Sequence, residues 1–325
     1  MSVMNASRRL IRALSAATAL GLGAVTLTAC GGDADKADGK VKVITALYPL
    51  QYLAQQIGRE HVAVESLTKP GAEPHDLELS PQQTGALSDA DLVVHLKGLQ
   101  PAVDEGIEQA AAKHVADAAS YTTLEKHGST VHGEGHAHGE EDGHDHSVSS
   151  GGQGGDPHIW LDPVRYAQVA KGVGKELAKA DPAHKADYKR NTRDLTERLD
   201  ALDQDFKKGL KKRKTDTFIT THAAFGYLAE RYGLHEEAVA GIDPESEPSG
   251  ARMKELHKAA KKGKADTVFF EEGAGDKTAK TLADDLNLRT GVLSTLESVR
   301  NPERQNYLSV MEQNLMALRV ALGVV

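Results

Sequence analysis

The chain has 325 residues, 39 of them basic against 47 acidic, and a formal net charge of −8. That acidic balance argues against nucleic acid as a partner and favours a cationic ligand. Cys30 is the only cysteine, so neither a disulfide framework nor a thiolate metal site can be built.

Residues 1–29 read as an export signal. Arg8, Arg9 and Arg12 precede an apolar run from Ala13 to Ala29 that is too short for a membrane-spanning helix. Leu27-Thr28-Ala29-Cys30 resembles the bacterial lipobox, in which the cysteine becomes the lipid-bearing first residue, so Cys30 is the expected lipidation site on the outer face of the cell membrane. Ser7-Arg8-Arg9 hints at twin-arginine export, although the residues that follow fit that signal poorly. Removing the signal leaves roughly 296 residues with a net charge near −11, enough for two lobes of ordinary domain size. Residues 30–40 lack apolar periodicity and read as a flexible tether.

An internal repeat sets the expected architecture. Slid by about 175 positions, the segment Val43–Gly58 lies over Phe218–Gly233, each a short apolar strand running into an amphipathic helix that stops at glycine. At the same offset Ala90–Gly98 lies over Ala265–Gly273, a buried strand with a glycine exit. The prediction is an α/β protein of two related lobes with mainly parallel sheets. The first lobe covers residues 41–161 and the second 215–325. Between them, 162–214 reads as a long rigid linker helix with proline-led starts at Asp162-Pro163 and Asp181-Pro182. Leu195, Leu199, Leu202, Phe206 and Leu210 form one apolar stripe on it, and a continuous helix of this kind implies little motion between lobes. The basic run Lys207–Lys214 suits a solvated helix C-terminus.

Within the first lobe, residues 127–155 form a loop holding His132, His136, His138, His144 and His146 among glycines and carboxylates. Imidazole is a neutral nitrogen donor for zinc, copper or nickel, so this tract reads as an accessory arm that captures metal loosely.

Three further histidines sit in segments that suit ligands. His75 follows Pro74 in a turn-rich stretch, His158 lies in Asp156-Pro-His-Ile-Trp-Leu-Asp162, and His222 follows the strand Thr217–Thr221 at the carboxyl end where open α/β sheets bind ligands. In the repeat His222 aligns with Leu47, and Glu73-Pro74-His75 resembles Glu247-Pro248-Ser249. Each lobe thus has a histidine that its twin lacks, which disfavours inherited structural histidines.

These motifs, with Thr-His222-Ala-Ala-Phe-Gly-Tyr-Leu and the closing Asn306–Leu315 segment, resemble the cluster A-I metal-binding lipoproteins of bacterial ABC importers, specifically the ZnuA/AdcA-like zinc-binding proteins. The resemblance spans nearly the whole mature chain and implies Zn(II) bound between the lobes by His75, His158 and His222. It also implies a variable fourth position, matched here by Glu297, with Glu271 or Glu272 competing and water an alternative. Manganese relatives resemble two-histidine, two-carboxylate sites, so the third histidine, at 222, points to zinc. The implied partners are a membrane permease and its ATPase, with the chain itself a monomer. The alternative functions are a manganese or other divalent-metal binding protein or adhesin of the same family and, further off, a zinc-dependent hydrolase. No Gly-x-x-x-x-Gly-Lys-Ser/Thr loop, His-Glu-x-x-His helix or Gly-x-Ser-x-Gly elbow occurs, so an enzyme is not expected.

Overall fold

The computed structural model describes residues 39–127, 155–245, 248–262, 265–271, 276–302 and 304–324. Cys30, the His-rich tract and Glu272 lie outside the described residues.

Strand β1 (Val41–Thr45) leads into helix α1 (Tyr48–Gly58), followed by β2 (Val62–Ser66), α2 (Pro81–Ser88), β3 (Leu92–His95), α3 (Pro101–Ala110) and β4 (Val115–Asp117). The strands form one sheet in the order β2-β1-β3-β4, every pairing parallel. Helices α4 (Pro163–Ala180) and α5 (Lys185–Gly209) come next, and then a second series: β5 (Thr217–Thr220), α6 (Gly226–Tyr232), β6 (His235–Ala238), α7 (Gly250–Lys261), β7 (Thr267–Phe270), α8 (Asp276–Leu286), β8 (Arg289–Val292) and α9 (Tyr307–Ala321). The second sheet runs β6-β5-β7-β8, again parallel throughout. A shift of 175 positions carries Leu92–His95 onto Thr267–Phe270, so the sequence repeat is a repeat of strands and of strand order.

The linker differs from the single rod that its periodicity suggests. Asp162 caps α4 through its side chain, with Oδ1 accepting the Val164 N–H at 2.8 Å. Asp181 makes no such cap; its Oδ2 lies 2.6 Å from Nδ1 of His184 and accepts the Tyr188 hydroxyl at 2.7 Å. Proline at 182 removes a backbone donor, the chain turns through a 3₁₀ segment at Pro182–His184, and α5 starts afresh and packs back along α4. It is α5 that bridges the lobes, touching α1 on one side and α9 on the other. Its 25 residues span about 37 Å. The stripe Leu195, Leu199, Leu202, Phe206 and Leu210 is buried throughout. The helix ends at Gly209, so only Lys207 and Lys208 of the basic run lie in its last turn.

The two helices that stop at glycine do so differently. Gly233 adopts a left-handed φ of 63° at the end of α6, a conformation that glycine takes without steric cost. After α1 it is Arg59 that turns, at φ 47°, and Gly58 is needed for another reason: a Cβ there would lie 2.3 Å from the Val62 side chain.

One continuous core runs from Val43 and Leu53 in the first sheet through Trp160 and Tyr166 to Phe218 and Phe269 in the second. Tyr307 stacks on Tyr52 and donates its hydroxyl to the Trp160 carbonyl at 2.6 Å, and Tyr166 donates to the Pro49 carbonyl at 2.6 Å. A smaller cluster around Ile219, Val268 and Leu282 fills the outer part of the second lobe. The carboxyl ends of both sheets therefore face a seam that is already packed, and the loops leaving those ends build the site.

Candidate metal centre

Four segments converge on the seam. His75 sits in a turn between β2 and α2, where Glu73 Oε1 accepts the His75 backbone N–H at 3.0 Å and the Pro74 carbonyl accepts from Gln100 at 2.9 Å. His158 is fully buried just before a 3₁₀ turn at Ile159–Leu161. His222 is also buried and lies beyond β5, in a loop that precedes α6 by three residues. Glu297 is buried in the loop after β8.

The Glu297 loop is held from three sides. Asn314 on α9 accepts the Ser294 N–H through Oδ1 at 2.9 Å and donates Nδ2 to the Ser294 carbonyl at 2.8 Å. Trp160 donates Nε1 to the Thr295 carbonyl at 2.6 Å. Leu296 carries a left-handed φ of 61°, costing roughly 1–2 kcal/mol. Full burial of its side chain contributes about 1.5–3 kcal/mol in return, enough to keep the turn in place.

The imidazoles aim their Nε2 atoms at one carboxylate. Glu297 Oε1 lies 2.8 Å from His75 Nε2 and 3.0 Å from His158 Nε2, while Oε2 lies 4.0 Å from His222 Nε2. An ion bound tetrahedrally at about 2.05 Å separates its ligand atoms by about 3.3 Å; the His75 and His158 spacings to Glu297 are close to this, and His222 would have to move inward to join them. His222 Nε2 is buried without a hydrogen-bond partner, the one ring nitrogen in this condition among the described residues. A buried imidazole nitrogen left unpaired costs free energy that a bound cation would recover.

The opposite ring nitrogens are held by carboxylates. Asp156 Oδ1 lies 2.7 Å from His158 Nδ1, and Glu271 Oε1 lies 2.9 Å from His222 Nδ1. Such partners fix the ring orientation and raise the basicity of the nitrogen facing an ion. Thr295 donates its hydroxyl toward both Glu271 Oε2, at 2.5 Å, and Glu297 Oε2, at 3.1 Å, joining the two acids. Glu271 is therefore engaged behind His222, whereas Glu297 faces the three Nε2 atoms.

Electrostatics follow from this surplus of carboxylates. Burial pulls His158 toward its neutral form, but Asp156 and Glu297 outweigh it and bring its pKa up to about 10. Burial raises Glu297, and the hydrogen bonds from His158 and His75 overcome that to hold it well below the usual carboxylate range. His222 is desolvated yet raised by the Glu271 charge, and Glu73 is raised by burial and by the Glu297 charge. The site stabilises positive charge, supplied by protons or by a cation.

The structure thus brings His75, His158 and Glu297 together and sets His222 beside Glu297 and Glu271, so Glu297 is shared by the two groups. It revises one comparison drawn from the repeat. Ser249 caps α7 by accepting the Arg252 N–H, as Ser80 caps α2 by accepting from Gln83, so Ser249 is the counterpart of Ser80 and not of His75. Sequence reasoning missed Asp156, Thr295 and Asn314 as supports. Asp156 lay within the quoted His158 motif and Asn314 within the closing Asn306–Leu315 segment, while Thr295 carries no local signal.

The sequence pattern of the family described as "Zinc-uptake complex component A periplasmic" matches residues 43–321. This chain belongs to that family. Similar to this chain is the zinc-binding lipoprotein AdcA of Streptococcus pneumoniae, 35% identical over 303 residues that make up 91% of this chain and 58% of AdcA. The chain therefore spans little more than half the length of AdcA. The high-affinity zinc uptake system protein ZnuA of Bacillus subtilis is 34% identical over 313 residues, 92% of this chain and 94% of ZnuA. Among solved structures, Zn(II)-bound AdcA of Streptococcus pneumoniae superposes with a TM-score of 0.71 at 31% identity, covering 87% of this chain and 58% of AdcA. The laminin-binding protein Lmb of Streptococcus agalactiae, described as a bifunctional protein with adhesin and metal transporting activity, superposes with a TM-score of 0.75 at 28% identity, covering 87% of this chain and 99% of Lmb. The two-lobed, parallel-sheet architecture is that of the zinc-uptake component A family.

Proposed function

We infer that this chain captures Zn(II) between its lobes through His75, His158, His222 and Glu297 and delivers it to a membrane permease driven by an ATPase. The observation that carries the reading is the convergence of three Nε2 atoms on one buried carboxylate, with His222 Nε2 otherwise unpaired. Three nitrogens and one oxygen suit zinc, which has no geometric preference from its d-electrons, better than manganese, which favours more oxygen ligands. Four protein ligands fill the tetrahedron, an arrangement for holding an ion rather than activating water, so binding and transfer, not catalysis, is the function. The zinc uptake function named for ZnuA and the lipoprotein description of AdcA support a lipid anchor at Cys30 and an extracytoplasmic location.

Deleting the gene should abolish growth under a chelator and added zinc should restore it; unchanged zinc uptake would sink the proposal. The likeness to Lmb favours adhesion as the second reading. A deletion strain that loses laminin binding but keeps zinc uptake would select it.

A further inference from the structure

His127 is the last residue described before position 155, and its ring lies between two carboxylates. Nδ1 is 3.0 Å from Asp156 Oδ2, and Nε2 is 3.3 Å from Glu230 Oε2 on α6. Asp156 uses its other oxygen, Oδ1, to hold Nδ1 of His158. The contacts therefore form an unbroken line, Glu230 to His127 to Asp156 to Nδ1 of His158, the ring whose Nε2 faces Glu297.

The surroundings are shaped for this ring. A Cβ on Gly226 would lie 2.3 Å from the Cβ of His127, so only glycine at the first residue of α6 admits it. Gln51 occupies the corresponding position of the first-lobe repeat. Tyr227 meets the His127 ring edge-on at 4.5 Å, and its hydroxyl accepts the Glu125 N–H at 2.9 Å while donating to the Asp156 carbonyl at 2.7 Å. The Asp156 N–H donates in turn to the Glu125 carbonyl at 2.7 Å. Residues 125–127 and 155–156 are thereby clamped to each other and to the second lobe.

We propose that His127 is a positioning residue of the metal centre: it fixes the Asp156 carboxylate, and through it the His158 ring, against the second lobe. This rests on the zinc-binding reading above. Removing a partner that orients a ligand costs about 10- to 100-fold in metal affinity, and His127 acts one contact further out, so a loss of roughly 10-fold is expected.

The test compares the parent full-length protein with His127→Ala, His127→Asn and His158→Ala. Zn(II) affinity is read by chelator competition and coordination by the visible spectrum of bound Co(II). Asn keeps a donor near the place of Nδ1. The expected result is a roughly 10-fold loss and an altered Co(II) spectrum for His127→Ala, with His127→Asn close to the parent in both. Parent-like affinity and spectrum in His127→Ala, or an equal loss in His127→Asn, would overturn the proposal. Tight binding retained by His158→Ala would instead overturn the assignment of the centre itself.

Discussion

His158 and Glu297 stand 139 positions apart in the chain, yet Nε2 of one lies 3.0 Å from Oε1 of the other inside a fully packed seam. The pair joins the entry to the linker helices with the last loop of the second lobe. Each group also has a further anchor, Asp156 for the histidine and Thr295 for the glutamate, so their approach is determined from both sides.

The ligand assignment separates Glu297 from Glu271 by the size of effect. Glu297→Ala is expected to remove tight stoichiometric zinc binding, as are alanine substitutions at His75, His158 and His222. Glu271→Gln, which disturbs the partner of His222 Nδ1 and the acceptor of the Thr295 hydroxyl but leaves Glu297 in place, should weaken binding by about 10- to 100-fold. Isothermal titration with chelator competition reads both, and parent-like affinity in Glu297→Ala would show that the fourth ligand is misassigned. Trp160, the only tryptophan, lies 5.4 Å from the His158 ring centroid and gives an independent fluorescence readout.

The pH dependence has opposite signs with and without zinc. His158 is raised to about 10 when folded, from about 6.5 unfolded, so its contribution to metal-free stability is full below about 6.5 and is lost as pH climbs toward 10. Glu297 is held low, so its contribution is present above the ordinary carboxylate range and is lost in acid. Zinc must displace the His158 proton, so its affinity rises across the same interval. The zinc-induced increase in Tm should therefore grow from pH 6 to pH 8, and titration in buffers of different ionisation enthalpy should show at least one proton released per zinc near pH 7, since His158 is protonated there and His222 is also raised. A Tm increment independent of pH would contradict the protonated His158.

Glu236 on β6 ties down the loop that carries His222. Its Oε1 accepts both the Thr220 hydroxyl at 2.8 Å and the Phe225 N–H at 3.2 Å, and burial pushes its pKa up to about 7. Glu236→Ala leaves two donors without an acceptor and should destabilise the fold by about 1–3 kcal/mol. Glu236→Gln keeps an acceptor oxygen and should lose less. Urea unfolding measures the difference, and equal losses in the two variants would show that the carboxylate does not act through these bonds.

Deleting residues 132–146 should leave the tight zinc site intact while removing weaker additional equivalents. Competition titration separates the two classes. A fall in affinity of the tight site would make the His-rich tract part of the primary centre.

Much of this was legible in the sequence because it was local or periodic. Strand and helix alternation, the 175-position repeat and the buried stripe Leu195–Leu210 are patterns along the chain, and they yielded two parallel sheets of identical order. His75, His158 and His222 stood out because each lies at a turn or strand end beside distinctive neighbours. The linker was less legible: whether Asp181 caps a helix or bonds His184 and Tyr188 depends on which side chains come close, and that choice broke one expected rod into two helices.

The sequence by itself determined the lobes, the repeat and the chemistry of the proposed ligands, since these follow from residue type and spacing. Only the tertiary structure shows what each acid meets: Glu297 lies against His75 and His158, and Glu271 against the Nδ1 side of His222. Both follow strands of the second sheet and both are carboxylates. Thr295, Asn314 and Trp160, brought in from distant parts of the chain, turn Glu297 inward and leave Glu271 behind His222. Contacts among residues so far apart leave no periodic trace, because they depend on how the two lobes pack rather than on how either one folds.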